Sequence, residues 1–306
     1  MDWRVKALLQ AGFSLAPRGE QLNYFVQRYL ARSLPVTDRF FTANVSYAKR
    51  HIDVIQRYCS RPLAQTILYE FGAGWDITIA FAFYGFGVES QILVDIRNLI
   101  RLPLLSDTIN KYQRMGSQLG IPRIPTAHLS CTQNSFVTEL KERYGIDYRA
   151  PCDARQTGLP DQSVDCITST STLEHIPERD IRVIMRECHR ILRDDGVMSM
   201  LINYDDHYSY FDPSISAYNH LQYSDRVWSL FNPALQYQNR LRHRDYIELF
   251  QSLGFCVTED QHKDATETDL NALGQISLSK RFRSYSAADL AVHNGLLLLQ
   301  KRSARA

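Results

Sequence analysis

The sequence predicts an α/β fold around a mostly parallel sheet. From about residue 66, short apolar runs of strand length alternate with helical patterns, and this alternation is typical of parallel sheets. A glycine-rich turn follows the first run, where a strand must turn into a helix. The chain has 306 residues, 44% hydrophobic and 22% charged, so it can bury one dominant core and is neither disordered nor a multi-span membrane protein.

A helical N-terminal lobe is predicted for residues 1–60. Thr37 and Asp38 are candidate N-caps of an amphipathic helix, whose apolar residues recur at spacings of four and three from Phe41 onward. Residues 21–30 are a candidate for a further helix upstream.

Residues 61–306 are predicted to form the domain that holds the sheet. One helix begins near Pro177 and is predicted to end at Gly196, and Gly254 closes a short helix that begins at Asp245. The long intervals at about 204–244 and 259–292 exceed what a compact α/β unit needs, so we expect insertions that form a cap. Apolar runs place six strands, at 66–69, 91–94, 165–168, 197–202, 255–258 and 295–299.

Charge and cysteine content exclude several classes of protein. A formal net charge of +2 gives no electrostatic footprint for phosphate backbones, so no nucleic-acid partner is expected. The basic residues Lys301, Arg302 and Arg305 are interpreted as a solvated tail. Six scattered cysteines without a C-x-x-C pair argue against disulfides and structural zinc, and favour a cytoplasmic location. No apolar run predicts a membrane span or a signal peptide.

The residues around the first glycine-rich turn carry the main chemical signal. Glu70 ends the first strand, Gly72 and Gly74 follow, and Asp95 ends the next strand, 21 residues after Gly74. Glycines let the backbone approach a ligand closely, and a carboxylate at the second position can accept both hydroxyls of an adenosyl ribose. A dinucleotide fold would need glycine at position 77, where this chain has Ile77, so that fingerprint fails.

In four segments the chain resembles the class I S-adenosylmethionine-dependent methyltransferases, over about residues 66–300. The first is the acidic residue with G-x-G, in which Asp76 takes the position of a third small residue. Asp153-Ala154 precedes the fourth strand, and Ser169-Thr170-Ser171-Thr172-Leu173-Glu174-His175-Ile176 follows it. Arg190-Ile191-Leu192-Arg193-Asp194-Asp195-Gly196 is similar to the family's turn before strand five, with Asp195 in place of a glycine.

The resemblance implies a fold and a cofactor. The fold would be a Rossmann-like, seven-stranded, mostly parallel sheet with helices on both faces and the last strand antiparallel. The cofactor would be S-adenosyl-L-methionine. By position in the motifs, Glu70 would face the methionyl amino group of the cofactor, and Gly72, Ala73 and Gly74 would lie beneath the cofactor. Asp95 would hold the ribose, and Asp153 and the Ala154 amide would contact adenine. Ser169 or Thr170 would lie beside the methyl donor. Glu70 and Asp95 could instead be ordinary acids at helix N-termini.

The loop after strand five should border the methyl acceptor. His207, with an ordinary pKa near ~6.5, is the predicted general base, and Asp206 or Asp205 could orient it. An equally open alternative is a polar turn without a catalytic role. His175 is interpreted as structural. No metal is expected, because adjacent residues such as 205–207 rarely all point at one centre.

The aromatic-rich insertion is predicted to supply acceptor contacts. Tyr204, Asp205 and Tyr208 are candidate substrate-binding residues, and Arg240 or Arg242 could clamp an anionic group. Packing of the insertion against the core is the alternative for most of these aromatic residues.

We therefore predict a methyltransferase that acts on a small-molecule acceptor, first of all on a hydroxyl of a sugar, lipid-linked compound or secondary metabolite. A catalytically silent cofactor- or partner-binding subunit and a methyltransferase for RNA or protein are the alternatives. A homodimer is one option for assembly.

Overall fold

A computed structural model describes residues 2–15, 19–30, 34–126 and 133–302. Cys131, one of the six cysteines, and Arg305 of the basic tail lie outside the described residues. The strands are β1 Ile67–Phe71, β2 Ser90–Val94, β3 Ile146–Arg149, β4 Val164–Thr170, β5 Leu192–Asn203, β6 Phe255–His262 and β7 Asn294–Lys301. The helices are α1 Trp3–Leu15, α2 Gly19–Phe25 (continued by a π-helical turn, Val26–Leu30), α3 Asp38–Tyr58, α4 Thr78–Gly85, α5 Leu102–Met115, α6 Gln133–Tyr144, α7 Glu178–Ile191, α8 Asp225–Trp228, α9 His243–Ser252, α10 Glu267–Gly274 and α11 Ala287–Ala291.

The seven strands form one sheet in the order β3-β2-β1-β4-β5-β7-β6. Strands β1 to β5 pair in parallel, and β7 is antiparallel to both β5 and β6. The predicted seven-stranded sheet with an antiparallel last strand is therefore confirmed. The strand order reverses between β1 and β4, and ligands of open α/β sheets bind outside the carboxyl ends of the strands at such a point.

Hydrophobic cores cover both faces of the sheet, because successive side chains of a strand point to opposite faces. Leu68 joins the core under α3 to α6, and its neighbour Tyr69 joins the core under α7 and α9. Helix α3 follows the predicted pattern: the Thr37 hydroxyl accepts the Phe40 N–H, and Phe41 is fully buried. The helical segment at 38–58 thus packs directly on the sheet domain.

Two boundaries and one missed strand differ from the sequence-based expectation. Helix α7 ends at Ile191, and Gly196 lies inside β5, so the prediction that this glycine stops the helix is wrong. The backbone turns directly at Leu192, which is extended and fully buried. Strand β6 runs to His262, so the first residues of the predicted second insertion belong to the sheet. Strand β3 was not placed from the sequence at all.

The segments between β5 and α9 and between β6 and β7 consist of short helices and turns. Helix α1 packs on the first of these segments through Trp3, whose ring lies 5.0 Å from that of Phe231 and 5.4 Å from that of Tyr208. Across the described ranges, no helix combines the length and apolarity needed to cross a membrane.

Candidate active site

A cavity of about 610 Å³ lies at the carboxyl ends of β1, β2 and β4. Its volume falls within the ~300–1,000 Å³ usual for small-molecule sites. Leu34, Val36 and Asn44 line it from the N-terminal side, and the ring of Tyr24 in α2 stacks on the lining residue Trp75 at 5.4 Å. The N-terminal segment therefore forms part of the cavity wall.

Two glycines after β1 shape the cavity floor. Gly72 has a φ of +90°, and a Cβ there would lie 2.2 Å from the Thr172 hydroxyl oxygen, so only glycine fits. Gly74 has a φ of +70° with open space where a Cβ would be, and it lines the cavity together with Ala73. The backbone here lies open to a ligand, as the glycine pattern predicts.

Asp76, which stands where the motif often has a third small residue, has a structural role at this turn. Its Oδ1 accepts the Thr78 N–H at 3.1 Å and the Thr78 hydroxyl at 2.9 Å, which satisfies donors at the start of α4. The intervening Ile77 has a φ of +46°. That conformation costs an L-residue roughly 1–2 kcal/mol.

Asp95 lies at the end of β2 and lines the cavity. Its Oδ2 accepts the Gly74 N–H at 3.2 Å, and its Oδ1 accepts the Arg97 N–H at 2.9 Å. Burial raises the pKa of this carboxyl, while the two N–H groups oppose the rise. The carboxylate is thus held between the glycine turn and the β2 loop, with oxygen lone pairs left for hydroxyl donors.

Asp153 and Ala154 also line the cavity, and the preceding Cys152 N–H donates to the Asp95 carbonyl oxygen at 2.8 Å. The Arg155 guanidinium pairs with the Asp153 carboxylate at 2.7 Å and with Asp180 at 3.0 Å. Its hydrogen bonds lower the pKa of Asp153. The Asp153 carboxylate is therefore ionised and fixed in position beside the cavity.

Glu70 and Ser169 lie below the cavity, outside the set of described residues that line it. The Thr170 hydroxyl, which does line it, donates to Glu70 Oε1 at 3.3 Å and lies 3.2 Å from His51 Nε2. Burial raises the pKa of Glu70 to about 8. In this structure the Thr170 hydroxyl stands between Glu70 and the space where a methionyl amino group was predicted.

His207 is buried next to the cavity wall. Its ring packs against that of His175 at 4.8 Å, and its Nε2 has no hydrogen-bond partner among the described residues. Burial, with smaller contributions from His175 and Lys6, lowers its pKa to about 3. The expectation of an ordinary pKa near ~6.5 is thus corrected, because the ring lies almost entirely out of water.

Asp206 does not orient His207. Its carboxylate accepts the Tyr208 N–H and the Asn219 amide, each at 2.8 Å, and so caps the turn that contains His207. Asp205 instead pairs with His293, 2.6 Å away. Neither carboxylate is available to the imidazole, because local backbone donors and a second histidine take them.

The remaining predicted acceptor contacts lie in the packing of the first insertion. Tyr204 is buried and bonds to His243 at 2.9 Å, and the Tyr208 hydroxyl donates to the Phe231 carbonyl. The Arg240 guanidinium pairs with Asp225 and donates to two backbone carbonyls, and the Arg242 guanidinium donates to three. These contacts satisfy donors that burial would otherwise leave unpaired, which favours the packing alternative for all four side chains.

Sequence reasoning missed Glu174 and assigned His175 to structure. His175 lines the cavity, and Glu174 lies behind it, 2% exposed, with no hydrogen-bond partner for either carboxylate oxygen. Burial raises the pKa of Glu174 to about 8; the nearby backbone N–H groups of Glu174 and Asn203 oppose the rise without meeting the geometry of a hydrogen bond. A buried carboxyl inside a recognised motif was the signal that could have identified it.

Comparison with known proteins finds one family model that matches part of the chain and solved structures of low similarity. Residues 123–200 match the family model described as a methyltransferase domain. No curated protein is significantly similar to the chain. The YcgJ protein from Bacillus subtilis is 14% identical, with 84% of this chain and 100% of that chain covered and a TM-score of 0.42. Geranyl diphosphate C-methyltransferase from Streptomyces coelicolor is 11% identical, with 84% of this chain and 78% of that chain covered and a TM-score of 0.47. That structure was solved with Mg²⁺, geranyl diphosphate and S-adenosyl-L-homocysteine.

The matched residues 123–200 run from the approach to β3 into β5 and include Asp153 and the segment from Ser169 to Ile176. With the strand order of the sheet, the match confirms the predicted resemblance to class I S-adenosylmethionine-dependent methyltransferases. The matched family model bears out the prediction of a methyltransferase, whereas S-adenosylmethionine as its cofactor stays a prediction.

Proposed function

We propose, from the premise of a class I S-adenosylmethionine-dependent methyltransferase, that this protein methylates a hydroxyl of a small-molecule acceptor. One observation carries the proposal: a single cavity joins Gly74 and Asp95 to a wall formed by His175, with His207 behind it. The predicted cofactor residues Gly74 and Asp95 thus share one cavity with His175. Acceptors of this kind include sugars, lipid-linked compounds and secondary metabolites.

The proposed cofactor position follows the cavity lining. Asp95 accepts the ribose hydroxyls, Asp153 and the Ala154 amide contact adenine, and Gly72 to Gly74 lie beneath the sulfonium side. Thr170 faces the methionyl part, with Glu70 and Ser169 supporting it from below. All of these residues except Glu70 and Ser169 line the cavity, and each contact is open to mutation.

The reaction needs alignment and loss of one proton. The acceptor oxygen attacks the methyl carbon, the carbon–sulfur bond breaks with its electron pair kept by sulfur, and the hydroxyl proton leaves. Holding the reactants in line supplies much of the acceleration. Removal of the proton by a positioned group contributes about 10²- to 10⁴-fold.

We keep His207 as the proposed proton-accepting residue; its ring contacts that of His175, which lines the cavity, and Asp206 does not orient it. Because its pKa is about 3, protonation of His207 should not slow the reaction as pH falls from 8 to 5. His207→Gln should lower turnover by about 10²-fold or more while the affinity for S-adenosylmethionine stays within about threefold, if the role is that of a proton-accepting group.

Methyl-labelled S-adenosylmethionine and a cell extract test the function. The purified protein should move label into the small-molecule fraction, and Asp95→Asn should reduce this transfer while the surface variant Asp53→Asn should not. Label found only in RNA or in protein would contradict the small-molecule proposal. Intact cofactor binding without any transfer would favour the silent-subunit alternative.

A further inference from the structure

We propose that Glu174, His175 and His207 bind one divalent transition-metal ion at the acceptor side of the cavity. One ligand atom from each of these residues can be chosen so that all three lie within 4.8 Å of one another. Glu174 and His175 are adjacent in the turn after β4, and His207 reaches them from the turn after β5. The parallel pairing of β4 and β5 brings the two turns together.

Two members of the cluster are buried polar groups that lack partners. Glu174 is 2% exposed and His207 is 9% exposed, and both oxygens of Glu174 and Nε2 of His207 make no hydrogen bond within the described part of the chain. Buried polar atoms in proteins nearly always have partners, and an orphan requires an explanation. A bound cation would satisfy all three atoms at once, and the Glu174 carboxyl would release its proton on binding.

His175 is oriented as a metal-binding imidazole would be. Its Nδ1 lies 2.8 Å from the Tyr237 carbonyl oxygen, so Nδ1 carries the proton and donates to that oxygen. The lone pair of its second ring nitrogen, Nε2, is then free. Histidines that bind metals usually donate their other ring N–H to a carbonyl or carboxylate in this way, which fixes the tautomer.

The donor set selects the kind of ion. One carboxylate and two neutral imidazoles suit zinc, iron, manganese and their neighbours better than magnesium or calcium, which prefer oxygen ligands throughout. Ligands at about 2.1 Å from an ion lie no more than ~4.2 Å apart, so small side-chain rotations from the present separations would complete the site. Lys6 is a nearby cationic group that opposes the binding of a cation.

The ion would deepen the proposed function, and this step rests on that function. A hydroxyl of the acceptor that binds at an open position would lose its proton to solvent more readily, because a divalent ion lowers the pKa of a bound oxygen. The oxygen then attacks the methyl carbon as the carbon–sulfur bond breaks. His207 would hold the ion instead of taking the proton itself.

Calorimetry with Mn²⁺, Zn²⁺ and Mg²⁺ on chelator-treated protein tests the site without cofactor or acceptor. One Mn²⁺ or Zn²⁺ per chain should bind, much more tightly than Mg²⁺. Glu174→Gln should weaken binding by at least about 100-fold, since loss of even an outer partner of a ligand costs about 10- to 100-fold. Mn²⁺ and Zn²⁺ that bind no better than Mg²⁺, or an unchanged Glu174→Gln, would overturn the proposal.

A second cluster of similar composition supplies the matched control. His243, Asp260 and His262 also lie within ligand distance of one another, but two of their ring nitrogens already pair with Asp260. His262→Gln should therefore leave the binding of one tight ion unchanged. Loss of that ion in His262→Gln would move the site to this cluster and refute the assignment.

Folding and function are checked separately. The affinity of Glu174→Gln for S-adenosylmethionine should equal that of the wild type, which shows that the variant folds. If Glu174→Gln does not fold, Co²⁺ is added to the His262→Gln variant instead. The ring proton signals of two histidines should then shift, and the absence of such shifts would contradict the site. Absent metal binding with intact methyl transfer refutes only the metal site, whereas metal binding without cofactor binding refutes the proposed function.

Discussion

Replacing Asp95 by asparagine should weaken the binding of S-adenosylmethionine by about 10- to 150-fold. The carboxylate accepts two backbone N–H groups, from Gly74 and Arg97, and has lone pairs left for ribose hydroxyls. A hydrogen bond to a charged group contributes roughly 1.5–3 kcal/mol, and each 1.4 kcal/mol is about tenfold in affinity. Asparagine keeps one acceptor oxygen and nearly the same shape, but its amide NH2 then faces one of the two N–H groups, so the loss reports the charge together with one lost acceptor. Asp95→Ala should lose more, because it also leaves the two N–H groups unpaired.

Calorimetry with three ligands separates the ribose contact from other effects. S-adenosylmethionine, S-adenosylhomocysteine and methylthioadenosine share the ribose, so Asp95→Asn should weaken all three by a similar factor. Asp53→Asn, an exposed substitution on α3, is the matched control and should bind each ligand as the wild type does. Unchanged affinities in Asp95→Asn, or a loss confined to ligands with the methionyl group, would refute the assigned contact.

Two further predictions concern stability. The pKa of His293 is raised to about 9 by hydrogen bonds to Asp205 and Asp269, so its stabilising effect is complete below pH ~6.5 and is lost as pH rises through 9. Urea unfolding should show a free energy that falls over this interval, and His293→Gln should flatten the fall; equal slopes would contradict the pairing. Gly72→Ala should destabilise the protein by more than ~2 kcal/mol, because the positive φ at this position and the overlap of a Cβ with a threonine side chain add together. Gly12→Ala, in open space on α1, should be neutral or stabilise the protein by up to ~1 kcal/mol. Similar melting temperatures for the two glycine variants would show that the turn can relax.

Much of the sheet was predictable because its strands are strongly apolar. The strands β1, β2, β4, β5 and β7 are mostly buried, and the alternation of β1 to β5 with helices indicates parallel pairing. Strand β6 buries only its first residue, Phe255, and was placed by its apolar start after Gly254. Strand β3 was not predicted, because Ile146-Asp147-Tyr148-Arg149 alternates apolar and charged residues over only four positions. Such a short alternation does not stand out from the helix that precedes it.

The cofactor side of the cavity could be predicted because its residues lie at strand ends. Gly72, Gly74 and Asp95 are positioned by backbone geometry, so their place along the sequence fixes their place in the fold. Thr170 and Asp153 likewise follow from the ends of β4 and the loop before it. The role of Glu70 was harder to predict, because the sequence does not say what covers the side chain of a strand residue. Only the structure shows that the Thr170 hydroxyl lies above it.

The acceptor side could not be predicted because it depends on side-chain packing between distant segments. Glu174 and His207 are 33 positions apart, and nothing in either local sequence pairs them. Arg240 was interpreted as a ligand clamp, but carbonyl groups of its own insertion and Asp225 satisfy it. A charged residue in a loop is equally compatible with both roles until its neighbours are known.

A crystal structure of the protein with S-adenosylhomocysteine would test the central claim most directly. The account predicts the ribose hydroxyls within hydrogen-bond distance of the Asp95 carboxylate and the adenine beside Asp153 and Ala154. The sulfur should face the wall formed by Thr170 and His175, with Glu174 and His207 behind it. A ligand bound elsewhere, or bound in this cavity with its sulfur turned away from His175, would contradict the account.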